Sequence, residues 1–320
     1  MDRPGPVELL REQVAGFAAT RLAEAQRWCV ALSGGPDSLA LTAAAAAVLP
    51  TTALIVDHGL QPGSAEVAAT AREQAVALGC AEALILTVQV GSAGGPEAAA
   101  RAARYAALET ARDGVPVLLA HTLDDQAETV LLGLGRGSGA RSIAGMRACD
   151  PPWYRPLLGV RRGITHAACA ELGLTAWDDP HNHDRRFTRV RLRLEVLPVL
   201  EDALGGGVAE ALARTAAALR EDTDALDALA EQHLRDARSG AGLRIDAVAD
   251  LPAALRRRVL RAWLLAGGAN GLIDVQIRAV DALVTDWRGQ GGVAVGSDLP
   301  LTRLFAERVG SRLTLRPEAV

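Results

Sequence analysis

The first half of the chain alternates short apolar runs with longer amphipathic segments, and this alternation restricts the fold more than any other feature. Four runs are typical of strands buried on both faces: Trp28–Leu32 and residues 53–56, 83–90 and 117–120. Helical periodicity fills the intervals, at residues 38–48, 64–78, Pro96–Ala111 and 123–134. Because strand–helix alternation at this spacing gives right-handed βαβ units, we expect an α/β fold with a doubly wound, mainly parallel sheet.

The alternation of strands and helices ends at about Asp150, where several prolines lead into shorter elements. A helix is expected over residues 188–204, and the run Gly205, Gly206 and Gly207 is the best candidate boundary. Beyond it the sequence predicts a long helix to about residue 238, two helices at Ala253–Ala266 and 275–287, and then strand-like pieces. We therefore expect one domain over residues 1–205 and a smaller, mostly helical C-terminal domain over residues 206–320.

The basic residues exclude two kinds of chemistry. All 34 of them are Arg, and the absence of Lys excludes both a Schiff-base lysine and the Walker P-loop. With 38 acids the net charge is −4, so any nucleic-acid contact must come from local arginine clusters rather than from bulk charge. Five Trp, two Tyr and three Phe are too few to predict a base-stacking platform.

The cysteines and the N-terminus predict a soluble protein of the cytoplasm. Cys29, Cys80, Cys149 and Cys169 are far apart, with no CxxC pair and no zinc-like spacing. Scattered thiols of this kind fit a reducing compartment. The first residues lack the basic and apolar regions of a signal peptide.

The string Ser33-Gly34-Gly35-Pro36-Asp37-Ser38 directly follows the first strand and opens the first helix. Its two glycines allow a close approach of the backbone to an anion, and a helix N-terminus directs free N–H groups and a positive dipole at it. The Ser33 and Ser38 hydroxyls add donors. The string predicts a phosphate site; the structural alternative is a tight turn with a serine cap.

Polar residues also follow the second strand and open the third predicted helix. The string Asp57-His58-Gly59-Leu60 comes at a strand end, where on its own it is a weak signal. In the helix at Pro96–Ala111, Glu97, Arg101 and Arg104 share one face at spacings of four and three. They predict an anion-binding face, and the alternative is a solvated Glu–Arg pair.

Three carboxylates follow the fourth strand, in the string that runs from His121 to Thr129. Asp124, Asp125 and Glu128 crowd one strand end, and such a cluster is suited to Mg²⁺ or to a substrate ammonium group. The alternative is local, because Thr122 with Asp125 has the spacing of a helix capping box.

Two arginine-bearing segments lie further along. Residues 133–146 are expected to form a loop, and they hold five Gly with Arg136 and Arg141 and no acid. This composition suits contact with a phosphate backbone, although a flexible connector has the same composition. Residues 185–194 hold five Arg, among them Arg189 and Arg193.

These strings resemble known families. The glycine-rich string is similar to the PP-loop of the N-type ATP pyrophosphatases, a Rossmann-like family that splits ATP to AMP and pyrophosphate while adenylating an acceptor. As an ordered set over about residues 27–200, the strings closely resemble the tRNA(Ile)-lysidine synthetases. The matching segments are residues 33–38, 57–60, 97–105, 121–146, 155–158, 179–184, 187–193 and 197–198.

Three positions depart from the pattern of that family. Gln61 stands where Arg is often found, His181 where Ser or Thr is usual, and Val190 where Asn is common. The first departure puts a phosphate or tRNA contact in doubt. The other two put in doubt the detail of their own segment.

The resemblance implies a two-step ligation. ATP adenylates the C2 oxygen of the wobble cytidine in a tRNA(Ile) with a CAU anticodon, and free L-lysine then displaces AMP to form lysidine, which changes decoding from AUG to AUA. It implies ATP and Mg²⁺ as cofactors, a tRNA-binding or accessory role for the C-terminal domain, and no membrane partner. Whether the protein forms a homodimer stays open.

The residues fit that chemistry in the following roles. The loop from Ser33 to Ser38, with Asp57 and His58, would bind ATP, and Asp37 would contact Mg²⁺ or orient the cytidine. Arg101 and Arg104 would neutralise phosphate charge, and Asp125 and Glu128 would hold the lysine ammonium. The expected substrate-binding residues are His121, Asp124, Asp125, Glu128, Arg136, Arg141, Arg189 and Arg193.

The sequence is also compatible with other functions. A tRNA thiolase of the same superfamily is the nearest, but those enzymes generally use paired or catalytic cysteines. NAD and GMP synthetases leave the arginine-bearing segment at residues 133–146 unexplained. A non-catalytic tRNA- or nucleotide-binding protein on the same scaffold is the alternative from a different class.

Overall fold

The computed structural model of the protein describes residues 4–59, 61, 63–91, 95–137 and 139–319. These residues form two compact units. Unit 1 extends up to Gly137 and includes Ser142–Ala216. Unit 2 contains Arg141 with the described residues just before it, and the chain from Ala217 onward.

The described elements alternate as follows. The helices are α1 (Pro6–Arg21), α2 (Pro36–Ala46), α3 (Ser64–Ala77), α4 (Pro96–Ala111), α5 (Leu123–Arg136), α6 (Ala140–Ile143), α7 (Arg162–Glu171), α8 (Thr188–Arg191), α9 (Leu197–Ala203), α10 (Val208–Ala237), α11 (Asp246–Ala249), α12 (Ala253–Ala266) and α13 (Asp274–Thr285). The strands are β1 (Trp28–Leu32), β2 (Thr51–Asp57), β3 (Glu82–Thr87), β4 (Val117–Leu118), β5 (Cys149–Asp150), β6 (Trp153–Tyr154), β7 (Arg238–Ser239), β8 (Gly242–Arg244), β9 (Ala269–Asn270), β10 (Val293–Ser297), β11 (Thr302–Val309) and β12 (Arg312–Ala319).

The sheet of unit 1 is the predicted doubly wound one. Its strand order is β3-β2-β1-β4-β6-β5, parallel throughout except for the antiparallel edge pair of β5 and β6. Strand β1 is buried on both faces: Val30 packs in one apolar cluster and Ala31 in another. The first cluster holds residues of α1, α2, α3 and α7, and the second contains Leu108 of α4. Both faces are therefore covered by helices, as an all-apolar parallel strand requires.

The strand order reverses between β1 and β4. The chain leaves β1 through α2 toward β2 on one side, whereas β4 lies on the other side of β1. In open α/β sheets a crevice forms at the carboxyl ends of the strands at such a reversal. Here it lies between the start of α2 and the start of α5.

A single long helix was expected over residues 188–204, and α8 and α9 form it together with a π-helical turn at Leu192–Val196 between them. Beyond Gly205, Gly206 and Gly207, helix α10 begins at Val208. The Glu201 carboxylate accepts from the N–H groups of Val208 and Ala209 at 3.0 and 3.1 Å. The division between the two compact units falls within α10.

Unit 2 combines helices with a sheet. Six strands of its described part form an antiparallel sheet in the order β7-β8-β12-β11-β10-β9, so the strand-like pieces of the sequence do pair. Helices α12 and α13 bury Leu260 and Val280 in its core. Asp281 is buried there and is paired by Arg256 and Arg257 at 2.5 and 2.9 Å. The unit is thus more mixed than the mostly helical domain expected.

The expectation of a loop over residues 133–146 is partly wrong, because α5 continues to Arg136 and the short helix α6 follows. Ser138 lies outside the described residues. Helices α5 and α6 approach each other closely at Gly133, where a Cβ would overlap the backbone carbonyl of Ser142. Glycine is required at this position because two backbones meet, and the helical hydrophobic pattern alone does not report that.

We predict opposite effects for alanine at two glycines of α5. Gly133→Ala places a methyl group against the Ser142 carbonyl and should lower the free energy of unfolding by ~1–3 kcal/mol. Gly135→Ala meets nothing within 4 Å and should raise it by about 0.5 kcal/mol through helix propensity. Urea unfolding followed by circular dichroism measures both. Equal stabilities of the two variants would contradict the close approach.

Candidate functional site

The phosphate loop, residues 33–38, joins β1 to α2. Gly34 has a φ of +81°, in the left-handed region that favours glycine, and Gly35 caps the helix without a side-chain hydrogen bond. The Ser33 N–H donates to Ser38 Oγ at 3.2 Å, and the Gly34 carbonyl accepts from the Trp177 N–H at 2.9 Å. The serine cap of the structural alternative is therefore absent at α2, and the first N–H groups of the helix keep no intrahelical partner.

Two adjoining cavities lie at the carboxyl ends of the strands. The site cavity has a volume of about 1010 Å³, and the small cavity has about 260 Å³ with apolar walls from Leu54, Ile55 and Val67. Ser33 and Arg104 line both.

The structure brings most of the predicted site residues to these cavities. Those that line the site cavity are Ser33, Gly35, Pro36, Asp37, Ser38, His58, Arg101, Arg104, His121, Asp125 and Arg193. Asp57 lines the small cavity. Those that line neither are Gly34, Asp124, Glu128, Arg136, Arg141 and Arg189. Leu60 and the side chain of Glu97 lie outside the described residues.

A carboxylate with no solvent exposure lies behind the site cavity. Glu128 of α5 accepts from Arg193 Nε at 2.8 Å and from the guanidinium of Arg162 at 3.3 and 3.4 Å, and Arg189 Nη1 lies 3.9 Å away. A buried carboxylate is stable only when cations and hydrogen bonds replace its water. Glu128 is therefore the anion around which these arginines are arranged.

Arg162 is a residue of the site that the sequence did not predict, because no helix was expected at α7 and no local motif includes Arg162. It occupies the first position of α7, and its side chain is 15% exposed. Its Nη2 donates to Asp125 at 2.7 Å, and its Nε lies 3.5 Å from Asp37 Oδ2. One guanidinium therefore joins carboxylates of α2 and α5.

The acids in the first turn of α5 have structural roles as well. Asp125 and Thr122 form the capping box that the spacing indicated. Asp124 accepts from the backbone N–H of Arg162 at 2.7 Å and so satisfies the N-terminus of another helix, while Arg161 pairs with it at 3.3 Å. Burial raises the pKa of Asp125, but Arg162 and the Thr122 N–H outweigh it and hold that pKa below its ordinary value.

Asp37 lies in the first turn of α2 and faces α7. Its carboxylate accepts from the Thr165 hydroxyl and is paired with Arg162. Burial raises the pKa of Asp37 above its ordinary value, and the Thr165 hydroxyl and Arg162 oppose that rise. Across the described residues, no group of three or more His, Cys, Asp or Glu is arranged to hold a metal ion.

The two predicted arginines of α4 differ in their surroundings. Arg101 is exposed and stacks over the Tyr105 ring at 4.9 Å. Arg104 is half-buried and pairs with no carboxylate among the described side chains, and burial together with repulsion from Arg101 lowers its pKa. A guanidinium that has no carboxylate partner among the described side chains, on the wall of both cavities, is suited to an anionic ligand.

Two histidines of the site keep a buried ring nitrogen without a partner among the described atoms. These atoms are Nδ1 of His58 and Nδ1 of His121. Burial lowers the pKa of His121 to about 4, and the nearby Arg155 and Arg104 act in the same direction against Asp125. His121 is therefore neutral at physiological pH. Burial also lowers the pKa of His58, with Arg104 adding to the effect.

Two of the three departures from the family pattern contact one another. Gln61 Nε2 lies 2.6 Å from His181 Nδ1 and 3.3 Å from Asp179 Oδ1, at the edge of the small cavity. The third, Val190, is buried. A contact between residues at such a separation in the chain could not be seen from either string alone.

The remaining predicted substrate-binding arginines line neither cavity. Arg141 pairs with Asp227 inside unit 2, where Arg258 also bonds the same carboxylate at 3.0 Å. Arg189 Nη2 donates to Thr129 Oγ1 at 3.2 Å. Arg136 ends α5.

Known proteins resemble the chain along its whole length. A PP-loop domain model matches residues 8–200, and a TilS substrate binding domain model matches residues 243–309. The tRNA(Ile)-lysidine synthase of Mycolicibacterium paratuberculosis is 70% identical over all of both chains. The chain belongs to the tRNA(Ile)-lysidine synthase family. The corresponding protein of Nocardia farcinica is 64% identical over 97% of this chain and 98% of its own.

A solved structure shares the fold. A U34-tRNA thiolase from Methanococcus maripaludis, with its 4Fe-4S cluster, superposes with a TM-score of 0.55 at 17% identity, over 68% of this chain and 80% of its own. At that identity the likeness concerns the fold alone. The expected PP-loop fold and lysidine synthetase family are both confirmed. Within the described residues, none of the helices has the length and apolar character needed to span a membrane.

We predict that His121 makes the protein less stable in acid. Below pH 6.5 an unfolded chain protonates this histidine, but the folded protein keeps it neutral to about pH 4, so stability falls as the pH decreases through that window. Between pH 7 and pH 5, His121 should lower the free energy of unfolding by on the order of 2 kcal/mol.

The measurement is urea unfolding of wild type and His121→Asn at both pH values. The variant should lose less stability on acidification, whereas His183→Asn, at an exposed histidine, should behave like wild type. An unchanged acid loss in His121→Asn would contradict the neutral, buried state.

Proposed function

We propose that this protein joins free L-lysine to C2 of the wobble cytidine in CAU-anticodon tRNA(Ile), through an adenylated tRNA and with release of AMP and pyrophosphate. The observation that carries the proposal is the site cavity. The phosphate loop, the half-buried Arg104 and the carboxylate Asp125 all open into one space of about 1010 Å³. An anion site and a cation site that share one cavity suit a reaction between a nucleotide phosphate and an amine.

ATP is the nucleotide implied by membership of the PP-loop family. The apolar walls of the small cavity suit its base, and the N-terminus of α2 with the Ser33 and Ser38 hydroxyls suits the pyrophosphate that leaves. Arg104, with Arg101 beside it, would neutralise phosphate charge in the transition state. Fixed donors of this kind stabilise developing charge without having to reorganise.

Asp37 is the residue that would hold Mg²⁺, together with the phosphates of ATP. Mg²⁺ sites at nucleotides commonly use one or two carboxylates with substrate phosphates, so a single protein carboxylate fits. When bound, the ion would supply neutralisation of phosphate charge. The contact with Thr165 orients the Asp37 carboxylate for this role.

Asp125 is the carboxylate that would meet the lysine amine, because it lines the site cavity while Glu128 and Asp124 do not. The amine has an ordinary pKa near ~10.4 and must lose its proton before it attacks. Neutral His121, whose Nδ1 has no partner among the described atoms, can accept a hydrogen bond from it. Glu128 acts from behind by orienting Arg162 and Arg193.

The C-terminal domain is proposed to bind tRNA, since its residues 243–309 match a substrate binding domain model. Arg136, Arg141, Arg189 and Arg193 are proposed to support tRNA binding; of these, Arg141 is held by Asp227 and Arg193 by Glu128. The reaction places the protein in the cytoplasm, where tRNA, ATP and free lysine occur together. Light scattering at the mass of a single chain would rule out the homodimer left open by the sequence.

The test is AMP release from ATP with Mg²⁺, in the presence and absence of lysine, with unmodified tRNA(Ile) or the methionine tRNA of the same anticodon. Turnover should require both lysine and tRNA(Ile), and mass spectrometry should find lysidine in the product. Turnover that needs a sulfur donor instead of lysine would identify a thiolase. Bound tRNA without turnover would identify a binding protein.

Asp37→Asn should reduce lysidine formation by about 10²–10³-fold, the loss typical of one preorganised contact to developing charge, and the melting transition should remain cooperative. The matched control is Asp113→Asn. Asp113 is 82% exposed and has a φ of 49°, which asparagine also accepts, so its activity should stay at the wild-type level. A fully active Asp37→Asn would contradict the proposed role.

A further inference from the structure

Arg162 contacts more of the site's carboxylates than its neighbours do. Its Nε lies 3.5 Å from Asp37, its Nη2 donates to Asp125 at 2.7 Å and to Glu128 at 3.3 Å, and its Nη1 lies 3.4 Å from Glu128. Its backbone N–H is held as well, by Asp124 at 2.7 Å. Both ends of the residue are thus fixed by acids from other helices.

The other arginines of the cluster do not make this connection. Arg193 reaches Glu128 and Asp125, and Arg189 reaches Glu128, both on α5. In the described part of the chain, Arg162 is the arginine that pairs both with Asp37 of the phosphate loop and with acids of α5. Asp37 stands on the nucleotide side of the site cavity, and Asp125 stands on the side proposed for the amine.

We infer that Arg162 is a positioning residue that holds Asp37 and Asp125 at the separation and orientation needed for the proposed ligation. The inference rests on the proposed function. Arg162 acts through the two carboxylates: Asp37 is directed at the nucleotide phosphates, and Asp125 is directed at the amine. Its geometry matters as well as its charge, because three different nitrogen atoms of one rigid plane contact three carboxylates.

A lysine at this position separates geometry from charge. Its single ammonium nitrogen carries the same charge but cannot occupy the places of Nε, Nη1 and Nη2 at once. If Arg162 only neutralises Asp125 and Glu128, Arg162→Lys should work nearly as well as wild type. If it positions Asp37 against Asp125, lysine should fail even though the net charge of the cluster is unchanged.

Arg161→Gln is the matched control. Arg161 is the preceding residue, is 40% exposed, and pairs with Asp124, Glu201 and Glu210 and with none of the three carboxylates that Arg162 joins. The comparison therefore removes an arginine from the same helix start while leaving the Asp37–Arg162–Asp125 connection in place.

The experiment measures kcat, and KM for ATP and for lysine, in wild type, Arg162→Lys, Arg162→Gln and Arg161→Gln with tRNA(Ile). We expect Arg162→Lys to lose about 10²-fold in kcat, the loss typical of a misplacement of about 1 Å, with both KM values within about threefold of wild type. Arg161→Gln should keep its kcat within about threefold. A thermal melt followed by circular dichroism checks that each variant folds. If Arg162→Gln does not fold, the kinetics of Arg162→Lys test the inference.

Three results would overturn the inference: a wild-type kcat in Arg162→Lys, an equal loss in Arg161→Gln, or a loss confined to KM. The wild-type protein separates this failure from failure of the proposed function. If it requires lysine and tRNA(Ile) while Arg162→Lys matches it, the function stands and the inference falls. If wild type turns over ATP without lysine, the proposed function falls, and the kcat values for AMP release in wild type and Arg162→Lys still test the positioning role. A wild type without any turnover overturns both the proposed function and the inference.

Discussion

A buried carboxylate must be surrounded by cations, and the arrangement of unit 1 around Glu128 follows from that requirement. Glu128 has no solvent exposure, and its partners come from α7 and from the helical segment between α8 and α9. Both segments are thus tied to α5 at one place. The same arginines also reach Asp125, so the pairing that makes burial of Glu128 tolerable also determines how the acids beside the cavity are presented.

The chain uses arginine throughout, and the site depends on what that side chain can do. Arg162 spreads three nitrogens over three carboxylates, and Arg193 places two nitrogens on Glu128. A guanidinium is planar and always charged, so it can join several acids while remaining half-buried. Arg193 lies in the π-helical turn at Leu192–Val196, and such turns are frequent at functional sites.

The position of the site follows from the sheet. Strand β1 sends alternate side chains into apolar clusters on its two faces, which forces helices to cover both sides. The strand order then reverses between β1 and β4, and the starts of α2 and α5 face one crevice. Phosphate loop, histidine and acids meet there because each of them follows a strand of the same sheet.

Much of this was readable from the chain itself, because hydrophobic periodicity and turn chemistry are local. The strands β1 and β2, the phosphate loop at residues 33–38 and the capping box of Thr122 and Asp125 are all determined within a few residues. The family resemblance was carried by the same kind of local strings.

Tertiary structure decided which charges meet. Arg162 and Glu128 lie on separate helices, as do Arg141 and Asp227, and the contact of Gln61 with His181 joins a loop to the 3₁₀ helix Pro180–His183. From the sequence alone, a carboxylate is equally suited to a substrate ammonium group, a metal ion or a salt bridge, since its charge is the same in each case. Only burial settles the matter, by requiring a specific cation at a specific distance, and burial is a property of the folded chain.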